Sequence, residues 1–277
     1  MKNNRVAILG TGSMGSAILA GLIASDFDAS KISVSTKSSS SAAKLASEFG
    51  VTAIALEVNA DANREAVADA DVILIATKPA YVVEVLKAVS ANIKPDALVI
   101  SVAAGITTST MEAALPATVA VIRSMPNTPA IVGRAITGIA RGKRASAAQV
   151  MVAEELFATV GKSLLLDESR IDALGTVSGS GPAYVFYLVE QLVAAAEHQG
   201  FSHAEAKVLV NETFLGAIEL LVASGKEPEE LRRQVTSPNG TTMQAIARIE
   251  QADLAKVFAE ATDAALKRSH EIAKENQ

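Results

Sequence analysis

Near its start the chain runs Val6-Ala7-Ile8-Leu9-Gly10-Thr11-Gly12-Ser13-Met14-Gly15, an apolar stretch that stops at closely spaced glycines and passes into Ala17-Ile18-Leu19-Ala20-Gly21-Leu22-Ile23. The pattern is that of a buried strand turning sharply into a helix. In such a turn Gly10 permits the tight exit from the strand, Gly12 lets the backbone approach a bound group, and free N–H groups at the helix start face an anion. A pyrophosphate fits this spacing, so the turn is expected to bind a dinucleotide; the alternative is a glycine-rich turn without a ligand. A strand that feeds a helix in this way commonly opens a doubly wound α/β sheet.

The following sequence continues the pattern. Short apolar, β-branched runs at 5–9, 31–35, 51–55, 72–76, 97–102, 118–123, 136–140 and 162–166 alternate with helical stretches, as in a mostly parallel sheet covered on both faces. Beyond Asp167 helix signals replace them. Pro182 opens one helix and Gly200 closes it; Ser202 with Glu205 forms a capping box for a second that ends near Gly225; Pro228 begins a short third that ends before Thr236. Two domains are expected, a Rossmann-type domain at 1–166 and an all-helical domain at 167–277.

The helical half is unusually apolar. Ala183 through Ala196 has only Glu190 and Gln191 as polar residues, and Val208 through Val222 is apolar around most of its circumference. Such helices need cover on more than one face, which predicts a homodimer made by this half; the alternative is cover by the sheet domain of the same chain. With no cysteine the chain has no disulfide, thiolate nucleophile or Cys-ligated metal, and His198, His203 and His270 lack a metal-like pairing and read as solvent-facing. A net charge of −5 argues against nucleic acid as a partner. No run approaches the ~20 apolar residues of a spanning helix, so no membrane partner is expected and the cytoplasm is the expected location.

Three stretches carry candidate chemistry. A dinucleotide site that prefers NAD usually places an acid about 20 residues after the glycines, against the adenosine ribose. Here Val34-Ser35-Thr36-Lys37-Ser38-Ser39 offers hydroxyls and a lysine, and no acid lies between Asp28 and Glu48. These groups suit a 2′-phosphate, which predicts NADPH, with NADH used less efficiently; the alternative is a serine-rich turn that caps a helix. The second stretch, Thr236-Ser237-Pro238-Asn239-Gly240-Thr241-Thr242-Met243, is a tight turn before a helix whose hydroxyls and N–H groups suit a carboxylate. The third, Ser178-Gly179-Ser180-Gly181-Pro182-Ala183-Tyr184, puts a compact backbone beside a helix start. Either of the last two, taken alone, reads better as an ordinary helix N-terminus.

Together with Ala76-Thr77-Lys78-Pro79, Val102-Ala103-Ala104-Gly105 and Arg123-Ser124-Met125-Pro126-Asn127-Thr128-Pro129, these stretches make the chain resemble the pyrroline-5-carboxylate reductases over nearly its whole length. The resemblance implies reduction of the imine of pyrroline-5-carboxylate to L-proline by hydride transfer from NADPH. It places Gly10, Gly12, Ser13 and Met14 along the pyrophosphate, Ser35, Thr36 and Lys37 at the adenosine phosphate, and Asn63 at the ribose. Ala76, Thr77, Lys78 and Pro79 would border the nicotinamide side. Ser178, Gly179, Ser237, Thr241 and Thr242 would surround the substrate, with Thr242 the catalytic contact to the imine nitrogen. The resemblance further implies dimers, with larger rings of dimers in the family. One position departs from the family's Ser-Pro-Gly-Gly-Thr-Thr turn: Asn239 stands where glycine is usual.

Two competitors are weighed by their residues. A β-hydroxyacid dehydrogenase resembles this layout and needs a lysine; Lys207 and Asn211 have that family's Lys-x-x-x-Asn spacing, but its glycine four residues earlier is His203 here. A nucleotide sensor without turnover is the other, and the intact Ser237, Thr241 and Thr242 argue against it.

Overall fold

Strand β1 (Val6–Leu9) shows how the sheet is held: successive side chains point to opposite faces, and all four are buried. Val6 and Ile8 join one apolar cluster, Ala7 and Leu9 another. In the computed structural model, which describes residues 1–275, the sheet has eight strands in the order β3-β2-β1-β4-β5-β6-β7-β8. The remaining strands are β2 (Ile32–Thr36), β3 (Thr52–Ala55), β4 (Val72–Ile75), β5 (Leu98–Ser101), β6 (Ala120–Pro126), β7 (Ala135–Arg141) and β8 (Gly161–Leu165). Each run marked in the sequence forms a strand, with its ends moved by a few residues at most.

Pairing is parallel throughout except between β6 and β7. The link from Pro126 to Ala135 holds only a 3-10 turn over Thr128–Val132, closed by Gly133 at φ 68°. That is too short for the crossover a parallel neighbour requires, so β7 reverses.

Six longer helices cover the sheet. α1 (Ser13–Ala24), α2 (Ser39–Phe49) and α6 (Ala147–Ala158) supply Ile18, Leu22, Leu45 and Phe157 to the first cluster, while α3 (Ala62–Val67), α4 (Val82–Val89) and α5 (Thr108–Ala113) supply Val67, Leu86 and Met111 to the second. Burying each such side chain is worth about 1.5–3 kcal/mol. Local signals set the helix ends: Ser38 caps α2 by accepting from the Ser41 N–H, and Ser146 with Gln149 forms a capping box on α6.

Two compact units are present: Met1–Ser180 together with the chain from Ala265 on, and Gly181–Ala264. The boundary thus falls later than residue 166, and the last helix is shared. Short helix α7 (Ile171–Leu174) stays with the sheet because the missing side chain of Gly138 in β7 makes room for it; a Cβ there would meet Leu174 Cδ1 at 2.9 Å. Buried Arg123 of β6 also holds it, through Asp172 at 2.5 Å. Gly105, at φ 75°, does the same for the chain's end, since its Cβ would lie 3.3 Å from Ala273 Cα.

The second unit contains α8 (Gly181–His198), α9 (His203–Ser224), α10 (Pro228–Gln234), α11 (Thr241–Glu250) and the first part of α12 (Leu254–Glu275). Its capping box at Ser202 and Glu205 and the left-handed Gly225 at φ 62° lie where the sequence placed them. α12 falls within the all-helical stretch expected beyond residue 167, although its own ends are not marked in the sequence. The interior of this unit is thin: Val193, Ala206 and Val210 are its buried cluster, with Val189, Ala196 and Phe214 packed around them. Outside it stand Phe186 (63% exposed), Tyr187 (61%), Ile218 (57%), Leu220 (55%) and Val222 (72%). His198, His203 and His270 face solvent, as do Lys207 and Asn211 on α9. No single described helix is long and apolar enough to cross a membrane, and no metal-ligating cluster occurs among the described residues.

Candidate active site

The strand order puts β1 between β2 and β4, and their carboxyl ends converge on the glycine turn. Gly10 N–H donates to the Ser35 carbonyl at 3.1 Å, and Ala76 N–H donates to the Leu9 carbonyl at 2.8 Å. Gly10 adopts φ 89°, and a Cβ there would lie 2.9 Å from the Ala76 oxygen, so glycine is needed both for conformation and for space. A Cβ on buried Gly15 would stand 2.3 Å from the Gly10 oxygen, so this glycine lets α1 start hard against the turn. Gly12 differs: a Cβ there would meet nothing within 4 Å. It is the N-cap of α1 and no side chain caps that end. The exposed Gly12 and Ser13 and half-buried Met14 therefore present an uncapped, positive helix terminus toward open space.

Two further observations fit a bound dinucleotide. Thr11 Oγ1 and Thr77 Oγ1 are buried without a hydrogen-bond partner, one in the glycine turn and one just beyond β4. Asn63 of α3 lies beside the end of β2, where its Oδ1 accepts from Ser35 Oγ at 2.6 Å. Ser35 and Thr36 are buried, whereas Lys37 and Lys78 are exposed and Pro79 opens a 3-10 turn after β4. Thus Gly10, Ser35, Asn63 and Ala76 form one connected rim.

An acid is also present at the end of β2, contributed by the neighbouring strand. Glu57, two residues past β3, accepts through Oε2 from the Ser39 N–H at 2.8 Å and from Ser39 Oγ at 3.1 Å. The backbone bond, then the hydroxyl bond, holds its carboxyl below the usual value. Spacing after the glycines does not reveal it, because only the parallel pairing of Thr36 with Ala55 brings the residues after β3 alongside.

Ser178 and Gly179 fall in a π-helical turn, Gly175–Gly179, which joins α7 to α8. The Ser178 carbonyl accepts from Asn127 Nδ2 at 3.0 Å, and Asn127 Oδ1 accepts from the Ile136 N–H at 3.0 Å. Buried Asn127 therefore locks this turn to β7, a positioning role its Pro-Asn-Thr-Pro setting did not reveal. Arg123 sits below it with Asp172 and Glu168, and Glu168 also accepts from the Thr108 N–H and hydroxyl, both at 2.6 Å.

In the second unit, Ser237, Thr241 and Thr242 lie on one turn. Asn239 takes φ 59°, so asparagine fills the left-handed position in place of glycine. Gly240 N–H donates to the Ser237 carbonyl at 3.0 Å, and a Cβ on Gly240 would stand 2.5 Å from Ser237 Oγ. Gly240 is the N-cap of α11, again with no side-chain cap, and Thr241 and Thr242 are exposed at its first positions. An uncapped N-terminus carrying two hydroxyls is suited to a small carboxylate.

Comparison with known proteins agrees with both halves. The family described as pyrroline-5-carboxylate reductase dimerisation matches residues 168–272, and that described as NADP oxidoreductase, coenzyme F420-dependent, matches residues 5–105. The chain is 40% identical to a pyrroline-5-carboxylate reductase of Pseudomonas aeruginosa, over 99% of each chain. It belongs to the pyrroline-5-carboxylate reductase family. A family member from Corynebacterium melassecola is 36% identical, covering 97% of this chain and 98% of the other. The solved pyrroline-5-carboxylate reductase of Coxiella burnetii superposes with a TM-score of 0.90 at 33% identity, covering 97% of this chain and 98% of that one. The family's dimerisation segment contains the apolar helices α8 and α9.

Proposed function

We propose that this member of the family reduces the imine of pyrroline-5-carboxylate to L-proline with NADPH, and with NADH at lower efficiency. The observation that carries the proposal is the uncapped start of α11, with Thr241 and Thr242 on a turn opened by left-handed Asn239, in a chain that also carries an uncapped glycine turn at α1.

The dihydronicotinamide, when bound, supplies the hydride for the imine carbon. The protein's own part is chiefly to bind and orient, since a protonated imine is already a good hydride acceptor. In this reading Gly10, Gly12, Ser13 and Met14 line the pyrophosphate, Ser35, Thr36 and Lys37 meet the adenosine phosphate, Asn63 meets the ribose, and Ala76 to Pro79 border the nicotinamide. Ser237 and Thr241 hold the substrate carboxylate. The Thr242 hydroxyl accepts from the protonated imine nitrogen, and that proton stays on the product amine. Ser178 and Gly179 are further substrate contacts. The lysine-dependent hydroxyacid chemistry finds no support in Lys207, which lies exposed on α9 in an ordinary helical pair with Asn211.

The assembly is a homodimer through the apolar faces of α8 and α9, and by extension a larger ring of dimers, in the cytoplasm. The test is oxidation of NADPH and NADH by the purified protein with pyrroline-5-carboxylate, followed in parallel, with light scattering for the assembly. Turnover with NADPH favoured is expected. Protein that binds cofactor but turns over with neither would overturn the reaction.

A further inference from the structure

Glu57 stands where a phosphate of the cofactor is expected. It follows β3, and its backbone N–H extends the pairing by donating to the Lys37 carbonyl at 3.1 Å. Its carboxylate then reaches across to Ser39, the first residue of α2, and takes both the backbone N–H and the hydroxyl of that residue. These two donors open the helix that follows Ser35, Thr36 and Lys37. Donors at a helix start favour an anion, and here the anion belongs to the chain itself.

We propose that Glu57 is a specificity-determining residue that competes with the 2′-phosphate of NADPH for the donors of Ser39, and so holds down the preference for NADPH over NADH. The proposal rests on the reading of the glycine turn as a dinucleotide site. A 2′-phosphate brought to the end of β2 meets a like charge and a helix start whose first N–H is already bonded. It gains the Ser39 donors only when Glu57 swings out. A cofactor with a free 2′-hydroxyl carries no charge there, and Glu57 can keep its bonds to Ser39 while it binds. Lys37 and Glu57 thus bias the same pocket in opposite senses. Both are exposed, so either side chain is free to move without opening the core.

The test uses the full-length protein and two substitutions, Glu57→Ala and Glu57→Gln. Dissociation constants for NADP⁺ and NAD⁺ are measured by calorimetric titration, independently of turnover, and the ligand-free melting midpoint is recorded to show that each variant is folded. For Glu57→Ala, NADP⁺ binding is expected to tighten about tenfold with NAD⁺ changed less than about twofold, the scale of removing one like charge near a solvent-exposed phosphate. Glu57→Gln keeps an acceptor for Ser39 without the charge and is expected to fall between wild type and Glu57→Ala. A ratio of NADP⁺ to NAD⁺ affinity that stays within about twofold of wild type in folded Glu57→Ala overturns the proposal and leaves the reductase function standing. Wild-type protein that binds neither nucleotide overturns both. Wild-type protein that binds both but does not reduce pyrroline-5-carboxylate overturns the reaction alone, and the ratio in the variants still decides the role of Glu57.

Discussion

Substituting Gly12 by alanine separates binding from folding, because the structure shows opposite consequences for the two. Gly12 sits at φ −69° and ψ −167°, a backbone conformation alanine adopts freely, and its Cβ would touch nothing within 4 Å. Two small terms then act on stability. Alanine is a poorer N-cap than glycine by about 0.5 kcal/mol. Against that, losing a glycine narrows the unfolded ensemble and stabilises by about 0.4–1 kcal/mol. The net change is within about 0.5 kcal/mol, a shift in melting midpoint of about 2 °C or less. Binding responds very differently. The new methyl group occupies the space through which a pyrophosphate reaches the N–H groups of Ser13 and Met14. Two hydrogen bonds to a charged group are worth about 1.5–3 kcal/mol each, so dinucleotide affinity should fall about 100-fold or more. Scanning calorimetry of the ligand-free protein and titration with NADPH read the two effects separately. Gly15→Ala is the contrasting control: its Cβ would lie 2.3 Å from the Gly10 oxygen, so it should lower ligand-free stability by about 1–3 kcal/mol. Gly12→Ala protein that binds NADPH as tightly as wild type would refute the placement of the pyrophosphate. If it instead melted as early as Gly15→Ala, the account of the turn's packing would fail.

Other expectations address the remaining elements. Thr242→Ala removes a hydrogen bond to a charged nitrogen, about 1.5–3 kcal/mol, and should lower kcat/KM about 10–100-fold; unchanged steady-state kinetics would remove Thr242 from the reaction. Ile218→Glu puts a charge on an apolar face of α9 and should lower the mass seen by light scattering at micromolar protein toward that of a single chain, whereas an unchanged mass would move the interface elsewhere. Burial raises the Asp71 pKa, but the hydrogen bonds from Lys94 and the Arg5 N–H outweigh it and hold the carboxyl below its ordinary value. A depressed folded-state value stabilises above the unfolded pKa and is lost as pH falls through the folded one. Asp71→Asn should therefore cost about 0.5–1 kcal/mol near neutral pH and progressively less below about pH 4, as urea midpoints at the two pH values would show.

What the sequence made legible follows from how locally each feature is encoded. Val72 to Ile75 could be assigned because a central strand buried on both faces has no polar position, and the start of α9 because Ser202 and Glu205 satisfy each other within one turn. Asn239 takes the left-handed conformation, for which asparagine is the residue best suited after glycine. The reversal of β7 was not legible, since it depends on the length of a connection whose residues, Asn127 to Arg134, look like any turn. Neither was the attachment of Ile171 to Ser180 to the sheet, which depends on a missing side chain at Gly138, far away in sequence. Glu57 shows the same limit within the site. Its neighbour Ser39 lies 18 residues away along the chain, and only the lateral pairing of β2 with β3 brings them together.

The thin interior of Gly181–Ala264 bears on how the protein comes into being. A buried cluster of three small side chains does little to offset the entropy of ordering five helical segments, so this unit is expected to draw much of its stability from apolar area covered by a second chain. Maturation is then second order in protein: newly made chains complete their helical half at a rate that rises with the concentration of their own kind, and the melting temperature climbs with the logarithm of that concentration. A further consequence is genetic. A chain with a damaged glycine turn but intact α8 and α9 should still be accepted as a partner, so a co-expressed defective copy is expected to be found in mixed dimers.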